Sequence, residues 1–311
     1  MNVLLHYAAG PALRARLALL PGLSVRFVPE GDEAGLMAAL PETDVLWHVL
    51  QPCTAAVIAA APRLRLIQKI GVGVNTIDIA AAQARGIAVC NLPGTNSRAV
   101  AEMALLLMLA CLRRLPQFDA GLRAGHWGAP AAVQDRLGEL GGKTVGLVGF
   151  GAVPAILAPV LAAMGCRVIY TARGPKPGVP YEYRDLNVLL AEADVVSLHV
   201  PVEPATARMI DAAALGRMKP GAVLVNTARG GLVDEAALVA ALRSGQLGAA
   251  GLDVFAEEPT PVGNPLLRLD NVVVAPHVAW VTTGTFGRSF EVAAENVRRL
   301  GTGEALLHRV A

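Results

Sequence analysis

The sequence predicts an α/β protein of two Rossmann-like domains, each built on a parallel sheet. Short runs of β-branched residues alternate with longer Ala- and Leu-rich stretches along the chain, the pattern typical of repeated β-α-β units. The predicted strands fall into two groups, with a long helical stretch between them that begins at Ser97. A length of 311 residues also suits about two domains.

The first group of predicted strands comprises Val3–Tyr7, Val25–Phe27, Val45–Trp47, Leu66–Lys69 and Ala88–Cys90. The second group of about six strands comprises Thr144–Val148, Arg167–Tyr170, Val195–His199, Val223–Asn226, Ala249–Leu252 and Val272–Ala275. A sheet of that size is typical of a dinucleotide-binding domain.

Two long predicted helices, Ser97–Arg114 and Thr283–Leu300, flank the second group of strands. If the chain enters the second domain near residue 97 and returns near 278, the first domain is discontinuous. We therefore expect a substrate domain of residues 1–97 plus 278–311 and a dinucleotide-binding domain of residues 98–277. A cleft between them would be the natural ligand site.

Composition excludes several classes of protein. Hydrophobic residues make up 54% and charged residues 17%, which is not a disordered composition. The net charge is +2 and the arginine pairs are isolated, so nucleic acid is not expected as a partner. The apolar stretch Met103–Leu112 is shorter than the roughly 18 residues of a membrane span. The start, MNVLLHYAAG, lacks a basic signal-peptide region and predicts a strand.

The four cysteines indicate no special chemistry. Cys53, Cys90, Cys111 and Cys166 are scattered, without C-x-x-C or the spacing of a metal site. We expect buried, reduced thiols in a cytoplasmic protein, and no metal.

A glycine turn follows the predicted strand Thr144–Val148. Gly149 and Gly151 allow a tight bend and close approach to a pyrophosphate, and the N–H groups at Ala152 and Val153 open the next helix. Pro154 replaces the third glycine of the usual motif, which adds bulk where the helix packs closely on the strand.

The residues after the next strand favour NADP(H). An acidic residue would normally bind the adenosine ribose there, but the segment TARGPK holds Arg173 and Lys176 and no carboxylate. These cations suit a 2′-phosphate, and NAD(H) remains possible. The alternative is that both side chains belong to a solvated loop.

Three polar residues further along suit one reaction. Arg229 lies in NTARGGLVDE, Glu258 in GLDVFAEEP and His277 in VVVAPHVAW. A guanidinium can bind a carboxylate by two hydrogen bonds, an imidazole can transfer a proton, and a carboxylate can orient that imidazole. Together they suit hydride transfer between a nicotinamide and C2 of a 2-oxo or 2-hydroxy acid. Taken singly, each could be a structural or solvated side chain.

The chain resembles the D-isomer-specific 2-hydroxyacid dehydrogenases, a family that includes glyoxylate and hydroxypyruvate reductases. The resemblance rests on ordered motifs along most of the chain: KIGVGVNTID (69–78), GTNSRAVAEMALLLML (94–109), VGLVGFGAV (145–153), SLHVP (197–201), LVNTARGGLVDEAAL (224–238), GLDVFAEEP (251–259) and APHVAW (275–280).

The resemblance implies a role for each matching residue. Arg229, Glu258 and His277 would be catalytic, and the backbone of Val72, Gly73 and Val74 would bind the substrate. Asp253 would contact the nicotinamide amide, and Thr227 and Ala228 would lie against its ring. His199, Val200 and Pro201 would form the adenine-side loop. The family also implies a homodimer, with Ser97–Arg114 and the Trp127 region near the contact.

The resemblance leaves the substrate open. Small 2-oxo acids such as glyoxylate, hydroxypyruvate or pyruvate are expected, since no phosphate pocket is evident and the chain is shorter than phosphoglycerate dehydrogenases with an appended regulatory domain. One alternative is a non-catalytic, nucleotide-sensing protein of corepressor type. Another is a formate dehydrogenase-like enzyme, but such enzymes carry Gln at the position of Glu258.

Overall fold

The computed structural model describes all residues from Met1 to Ala311, and the chain forms two compact units. Unit 1 comprises Met1–Asn96 and Val281–Ala311, and unit 2 comprises Ser97–Trp280. The chain leaves unit 1 after residue 96, where the sequence predicted 97, and returns at 281, where it predicted 278.

Unit 1 is a parallel sheet with helical connections. Its strands are β1 (Asn2–His6), β2 (Ser24–Val28), β3 (Val45–His48), β4 (Leu66–Lys69) and β5 (Ala88–Cys90), in the order β2-β1-β3-β4-β5. The helices between them are α1 (Pro11–Ala18), α2 (Glu33–Ala39), α3 (Ala55–Ala59) and α4 (Ile79–Ala84). Asp32, Thr54 and Asp78 cap the last three by accepting a backbone N–H, as short polar residues commonly do.

Unit 2 holds a seven-stranded parallel sheet. Its elements are α5 (Ser97–Arg113), α6 (Leu115–Arg123), α7 (Ala131–Gln134), β6 (Thr144–Val148), α8 (Ala152–Ala163), β7 (Arg167–Thr171), β8 (Glu182–Tyr183), α9 (Leu186–Glu192), β9 (Val195–Leu198), α10 (Ala212–Arg217), β10 (Ala222–Asn226), α11 (Glu235–Ser244), β11 (Leu247–Leu252) and β12 (Val272–Val274). The strand order is β12-β11-β10-β9-β6-β7-β8. The predicted class of two parallel α/β sheets is confirmed.

The prediction of about six strands in unit 2 is wrong by one. The strand it missed, β8, has two residues at the edge of the sheet, too few for an alternating pattern to be read. Its position depends on tertiary contacts, including an ion pair of 2.9 Å between Arg167 Nε and Glu182 Oε1.

The two long helices end where left-handed residues stop them. Arg114 has a φ of 49°, so α5 ends at Arg113, one residue before the prediction. Helix α12 (Thr283–Thr302) runs past the predicted Leu300 because the next left-handed residue is Gly303, with a φ of 76°. None of the helices combines the length and hydropathy that a membrane span requires.

A buried amide pair holds α12 in unit 1. Asn296 is fully buried; its Nδ2 donates to Gln68 Oε1 on β4 at 2.7 Å, and its Oδ1 accepts the Leu307 N–H at 2.7 Å. Buried amides need such partners, so α12 and the segment after it are tied to the first sheet. This explains how residues distant in sequence complete unit 1.

Helix α5 is largely a core element of unit 2. It packs against α8, β10 and β11, and buries Ala104, Leu107, Met108 and Cys111 among other residues. Its apolar character therefore serves the core of its own unit. Leu106 is an exception, with 52% of its surface exposed.

Candidate active site

Three neighbouring strands of unit 2 place the three predicted catalytic residues at one edge of the sheet. Strands β10, β11 and β12 pair in parallel, and Arg229, Glu258 and His277 each follow the carboxyl end of one of them. Ligands of open α/β sheets bind beyond the carboxyl ends of the strands. The fold thus brings together side chains up to 48 positions apart in the sequence.

The turn that holds Arg229 is fixed by a buried asparagine. Asn226 ends β10; its Nδ2 donates to the Arg229 carbonyl at 2.8 Å and its Oδ1 accepts the Ala228 N–H at 3.0 Å. A short helical turn then begins at Gly230, where a Cβ would overlap the backbone of Phe255. Only glycine lets the Arg229 turn lie this close to the Glu258 loop.

The loop of Glu258 is held from both sides. Glu258 Oε1 accepts the Phe255 N–H at 2.9 Å, which closes the loop on itself. Glu235, the first residue of α11, accepts the Ala256 N–H at 2.6 Å. The carboxylate is therefore oriented before any ligand binds.

The other oxygen of Glu258 bonds the candidate acid–base residue. His277 Nδ1 and Glu258 Oε2 are 2.6 Å apart, with side chains 20% and 34% exposed. Because Nδ1 is engaged, Nε2 is the ring nitrogen left to exchange a proton with a ligand. Partial burial raises the pKa of Glu258, but His277, the Phe255 N–H and Arg229 outweigh it and lower that pKa overall.

Arg229 is close enough to share this electrostatic environment. Burial lowers the pKa of its guanidinium, and the charge of Glu258 opposes that shift. An arginine stays charged in either case. Its Nη1 donates to the Ala228 carbonyl at 2.6 Å, so other N–H groups of the guanidinium are available to a carboxylate.

His277 itself has a strained backbone. Its φ of 55° is left-handed, which is uncommon for a residue other than glycine. Asp253 stabilises the strained loop: its carbonyl accepts the His277 N–H at 2.7 Å, and its carboxylate accepts the N–H groups of Val278 and Ala279 at 2.8 and 2.9 Å. Trp280 Nε1 donates to the His277 carbonyl at 3.1 Å.

Asp253 is fully buried, so in this structure it contributes through the loop that it holds. Burial raises the pKa of its carboxyl, and the two N–H bonds oppose that shift. Its predicted contact with the nicotinamide amide remains a prediction.

The glycine turn lies where strand order reverses. From β6 the chain proceeds to β7 and β8 on one side, and then to β9–β12 on the other, so β6 and β9 flank the switch point. Gly149 has a φ of 96°, and a Cβ there would come within 2.6 Å of the His199 carbonyl oxygen. The turn therefore packs directly on the backbone of the predicted adenine-side loop.

The residues at this switch point fit a dinucleotide. Space is open at Gly151, and the N–H groups of Ala152 and Val153 open α8 without an intrahelical acceptor. Directly after β10, which pairs with β9, the Thr227 hydroxyl is buried without a hydrogen-bond partner, beside the half-buried Ala228. A bound ligand would satisfy such a group.

The adenine-side loop follows β9. Val200 is half-buried and Pro201 is exposed. Burial lowers the pKa of His199, whose Nε2 lacks a partner, so this histidine is neutral at physiological pH.

Pro154 is compatible with close packing. It lies in the first turn of α8, where the missing N–H costs no helical bond, and its ring is buried. The bulk that Pro154 adds is therefore accommodated where the helix is buried.

The two cations after β7 differ in their contacts. Arg173 is exposed and forms no hydrogen bond within the protein. Lys176 Nζ donates to the Phe150 carbonyl at 2.7 Å, and the Lys176 N–H donates to the Tyr170 hydroxyl at 2.8 Å. Lys176 is thus anchored to the glycine turn, whereas Arg173 is free to contact a ligand.

The predicted substrate loop belongs to unit 1 and follows β4. The N–H groups of Val72, Gly73 and Val74 find no acceptor within the protein, while the carbonyls of Val72 and Val74 accept bonds of 2.9 Å from Asn91 and Ile77. A loop that is fixed by its carbonyls and leaves its N–H groups free is suited to an anionic ligand.

The sequence analysis did not identify two residues that position the site, Asn226 and Glu235. Asn226 lies inside the NTARGG motif, and its position two residues before the bonded Ala228 N–H is the signature of an Asx turn. Glu235 is the last residue of the NTARGGLVDE stretch, and only the fold brings it to the Ala256 N–H.

Comparison with known proteins agrees with this geometry. Residues 105–279 match the family model described as D-isomer specific 2-hydroxyacid dehydrogenase, NAD binding domain. The matched segment lies within unit 2 and contains the glycine turn and the three candidate catalytic residues.

Two curated relatives illustrate the range of the family. The chain is 43% identical to D-3-phosphoglycerate dehydrogenase of Mycobacterium leprae over 294 residues, which cover 92% of this chain and 54% of that protein. It is 42% identical to hydroxypyruvate reductase of Thermotoga maritima over 253 residues, covering 80% and 81%. The chain thus spans about half the length of the phosphoglycerate dehydrogenases that it matches.

Solved structures match along the whole chain. The TT0316 protein of Thermus thermophilus superposes with a TM-score of 0.90 at 40% identity, covering 100% of both chains. An NADPH-dependent glyoxylate/hydroxypyruvate reductase from Sinorhizobium meliloti, in complex with NADP and malonate, superposes with a TM-score of 0.84 at 31% identity, covering 100% and 96%. With its sheet topology, its glycine turn and the clustered Arg229, Glu258 and His277, the chain belongs to the D-isomer-specific 2-hydroxyacid dehydrogenase family.

Proposed function

We propose that this protein transfers a hydride between a nicotinamide cofactor and C2 of a small 2-oxo or 2-hydroxy acid, and that it reduces glyoxylate, hydroxypyruvate or a similar 2-oxo acid. The observation that supports this most directly is the 2.6 Å contact between His277 Nδ1 and Glu258 Oε2, beside Arg229. This arrangement provides a proton donor, a carboxylate that bonds and orients the donor, and a cation for the substrate carboxylate.

Arg229 would bind the substrate. Its planar guanidinium can form two parallel hydrogen bonds to the substrate carboxylate and polarise the adjacent C2 carbonyl. The free N–H groups of Val72, Gly73 and Val74 are proposed as further donors to that carboxylate. A fixed donor to the C2 oxygen, where negative charge develops during reduction, is typically worth about 3–4 kcal/mol.

His277 would supply the proton in reduction. Glu258 holds Nδ1, so Nε2 would donate to the oxygen that becomes the hydroxyl. The lowered pKa of Glu258 keeps it ionised near neutral pH, where its negative charge favours the protonated imidazole. When bound, the nicotinamide supplies the hydride that this proton complements.

Binding of that cofactor is proposed at the switch point between β6 and β9. The residues assigned to it are Gly149, Gly151, Ala152, Val153, Arg173, Lys176, His199, Val200, Pro201, Thr227, Ala228 and Asp253. Exposed Arg173 and the absence of a carboxylate in 171–176 favour NADP(H). NAD(H) is retained as a second cofactor because no group in that segment excludes it.

A catalytic role is favoured over nucleotide sensing without turnover. The candidate proton donor adopts a strained backbone that Asp253 stabilises with three hydrogen bonds. A strained residue at a candidate site is an indication of function. The four cysteines are buried free thiols, which supports the proposed cytoplasmic location.

A homodimer is proposed from exposed apolar residues of unit 2. Helix α6 has no buried residue, although Leu115 and Leu122 lie on one of its faces and are 57% and 55% exposed. Leu106 is 52% exposed and Trp127 is 91% exposed. Four large apolar side chains with this degree of exposure favour a surface that a second copy of the chain covers. Helix α5 packs mainly in the core of its own unit. The dimer proposal therefore rests on these four exposed residues and not on α5 as a whole.

The first prediction concerns Arg229. With glyoxylate, hydroxypyruvate and pyruvate as test substrates, we expect Arg229→Ala to abolish reduction. We expect Arg229→Lys to lower kcat/KM by about 100-fold or more, because lysine cannot form the bidentate contact with the carboxylate. Arg243→Lys, on the exposed end of α11, is the matched control and should retain activity. Near-normal kcat/KM for Arg229→Lys would remove Arg229 from the substrate site.

The second prediction concerns pH. Reduction needs a proton on His277, and the negative charge of Glu258 favours that proton. In Glu258→Gln the charge is gone, so reduction should decline at a lower pH than in the wild type, as measured by kcat/KM from pH 5 to 10. Glu257→Gln changes the adjacent, exposed carboxylate and should leave the profile unchanged. Identical profiles for wild type and Glu258→Gln would disprove the pairing.

The third prediction concerns the cofactor. We expect kcat/KM to be about tenfold or more higher with NADPH than with NADH, because a charged hydrogen bond from Arg173 is worth about 1.5–3 kcal/mol. The double variant Ala172→Asp/Arg173→Gln should reverse the preference, whereas Arg217→Gln, at the exposed end of α10, should not alter it. A wild-type preference for NADH would mean that Arg173 and Lys176 form a solvated loop.

The fourth prediction concerns assembly. Light scattering at micromolar concentration should give the mass of two chains of 32.2 kDa each. Leu122→Glu should shift the protein towards the monomer, because a charge would be buried at the contact. Val262→Glu, at an apolar residue that is 89% exposed elsewhere in unit 2, should remain dimeric. A monomeric wild type contradicts the proposal.

A further inference from the structure

Unit 1 contains a cavity that none of the proposed catalytic chemistry uses. It is open to solvent, has a volume of about 630 Å³ and is lined by residues at the start of β4 and β5, by the end of α12 and by the segment after it. The proposed substrate loop, Val72–Val74, follows the opposite, carboxyl end of β4. The cavity is therefore separate from the substrate-binding edge of this sheet.

Four arginines line this cavity: Arg65, Arg85, Arg299 and Arg309. One carboxylate, that of Glu304, lines it as well, but both of its oxygens bond Arg298, at 2.6 and 2.8 Å. Arg299 has an acidic partner, Glu295, at 2.7 Å. The lining therefore carries more positive than negative charge, and Arg65, Arg85 and Arg309 are exposed, so their charged groups can reach a dissolved anion.

Main-chain carbonyls anchor the guanidinium groups without neutralising them. Arg65 Nη2 donates to Leu300 O at 3.2 Å, Arg299 Nη1 to Ala305 O at 2.9 Å and Arg309 Nε to Ala311 O at 2.8 Å. Arg85 uses two nitrogens, Nη2 to Ala61 O at 3.1 Å and Nη1 to Ile58 O. Each guanidinium has five N–H donors, so each keeps others for a ligand. Anchored side chains also lose less conformational entropy when a ligand binds.

We propose that this cavity is a binding site for a compact small molecule with two or more negative charges, either a phosphate compound or a polycarboxylate. A guanidinium can form two parallel hydrogen bonds to the oxygens of a phosphate or of a carboxylate. The volume is that of a small-molecule site, which argues against an extended polyanion such as nucleic acid. The site and its ligand class are independent of the proposed hydride transfer.

The test is calorimetric titration of the whole protein with inorganic pyrophosphate and, separately, with citrate, at a constant ionic strength of about 0.15 M. We expect saturable binding of at least one of them with a Kd below about 1 mM. Pyrophosphate alone would identify a phosphate site, citrate alone a polycarboxylate site, and both a general site for compact anions. Each result supports the proposal when the arginine variants of this cavity weaken the binding.

Substitutions of the lining arginines test whether the anion binds in this cavity. Arg65→Gln and Arg309→Gln should each weaken it about tenfold, the effect of losing one charged hydrogen bond. Arg63→Gln removes an equal charge two residues away, from an exposed side chain paired with Asp44 at 3.0 Å and outside the cavity, and should change the affinity less than twofold. Circular dichroism and the Tm without anion verify folding, and Arg309→Gln provides the test if Arg65→Gln fails to fold.

Four results would overturn the proposal. The first is that neither pyrophosphate nor citrate binds saturably. The second is an equal loss in Arg63→Gln, which would indicate a diffuse charge effect. The third is binding that is lost in Arg173→Gln or Arg229→Lys but kept in Arg65→Gln, which would place the anion at the proposed catalytic or cofactor site. Preferential binding of a single-stranded oligonucleotide would likewise refute a compact-anion site.

Discussion

The backbone contact between Gly230 and Phe255 is the constraint on which the candidate active site depends. No side chain fits at Gly230, so the turn that follows β10 lies directly on the loop that follows β11. Arg229 immediately precedes this contact and Glu258 follows it by three residues. Asp253, which begins the same loop, holds the backbone of His277 after β12. One chain of backbone contacts therefore sets the positions of all three side chains, which is the kind of preorganisation that catalysis requires.

Buried polar groups in unit 2 divide into two kinds. Those of Asn226 and Asp253 are satisfied by the protein itself, and they fix loops. The Thr227 hydroxyl and His199 Nε2 have no partner, and both lie at the carboxyl edge of the sheet. Since an unsatisfied buried group costs free energy, the Thr227 hydroxyl and His199 Nε2 are candidates for bonds to a ligand. Ser197 Oγ and Arg114 Nε also lack a partner but lie outside the proposed cofactor residues. The division agrees with a nucleotide at the switch point and a rigid catalytic edge beside it.

Charge is distributed unevenly over the chain despite a net charge of only +2. In unit 2, the cations near the glycine turn are Arg173, which is free, and Lys176, which is anchored. In unit 1, four arginines line one cavity, although they are spread over the sequence from residue 65 to residue 309. In the sequence, each of them resembles an ordinary solvated residue. Their shared position in the cavity lining gives the strongest indication of a ligand site outside the family motifs.

The sequence by itself determined the class of the fold, the strands with clear β-branched runs, the glycine turn and the identity of the Arg229, Glu258 and His277 candidates. Those features depend on local patterns and on short motifs, which act over a few residues. The tertiary structure decided the seventh strand, the ends of α5 and α12, the supporting roles of Asn226 and Glu235, the burial of Pro154 and the arginine-lined cavity. Each of these depends on contacts between residues far apart in the chain, and no local pattern records which distant partner a residue will meet.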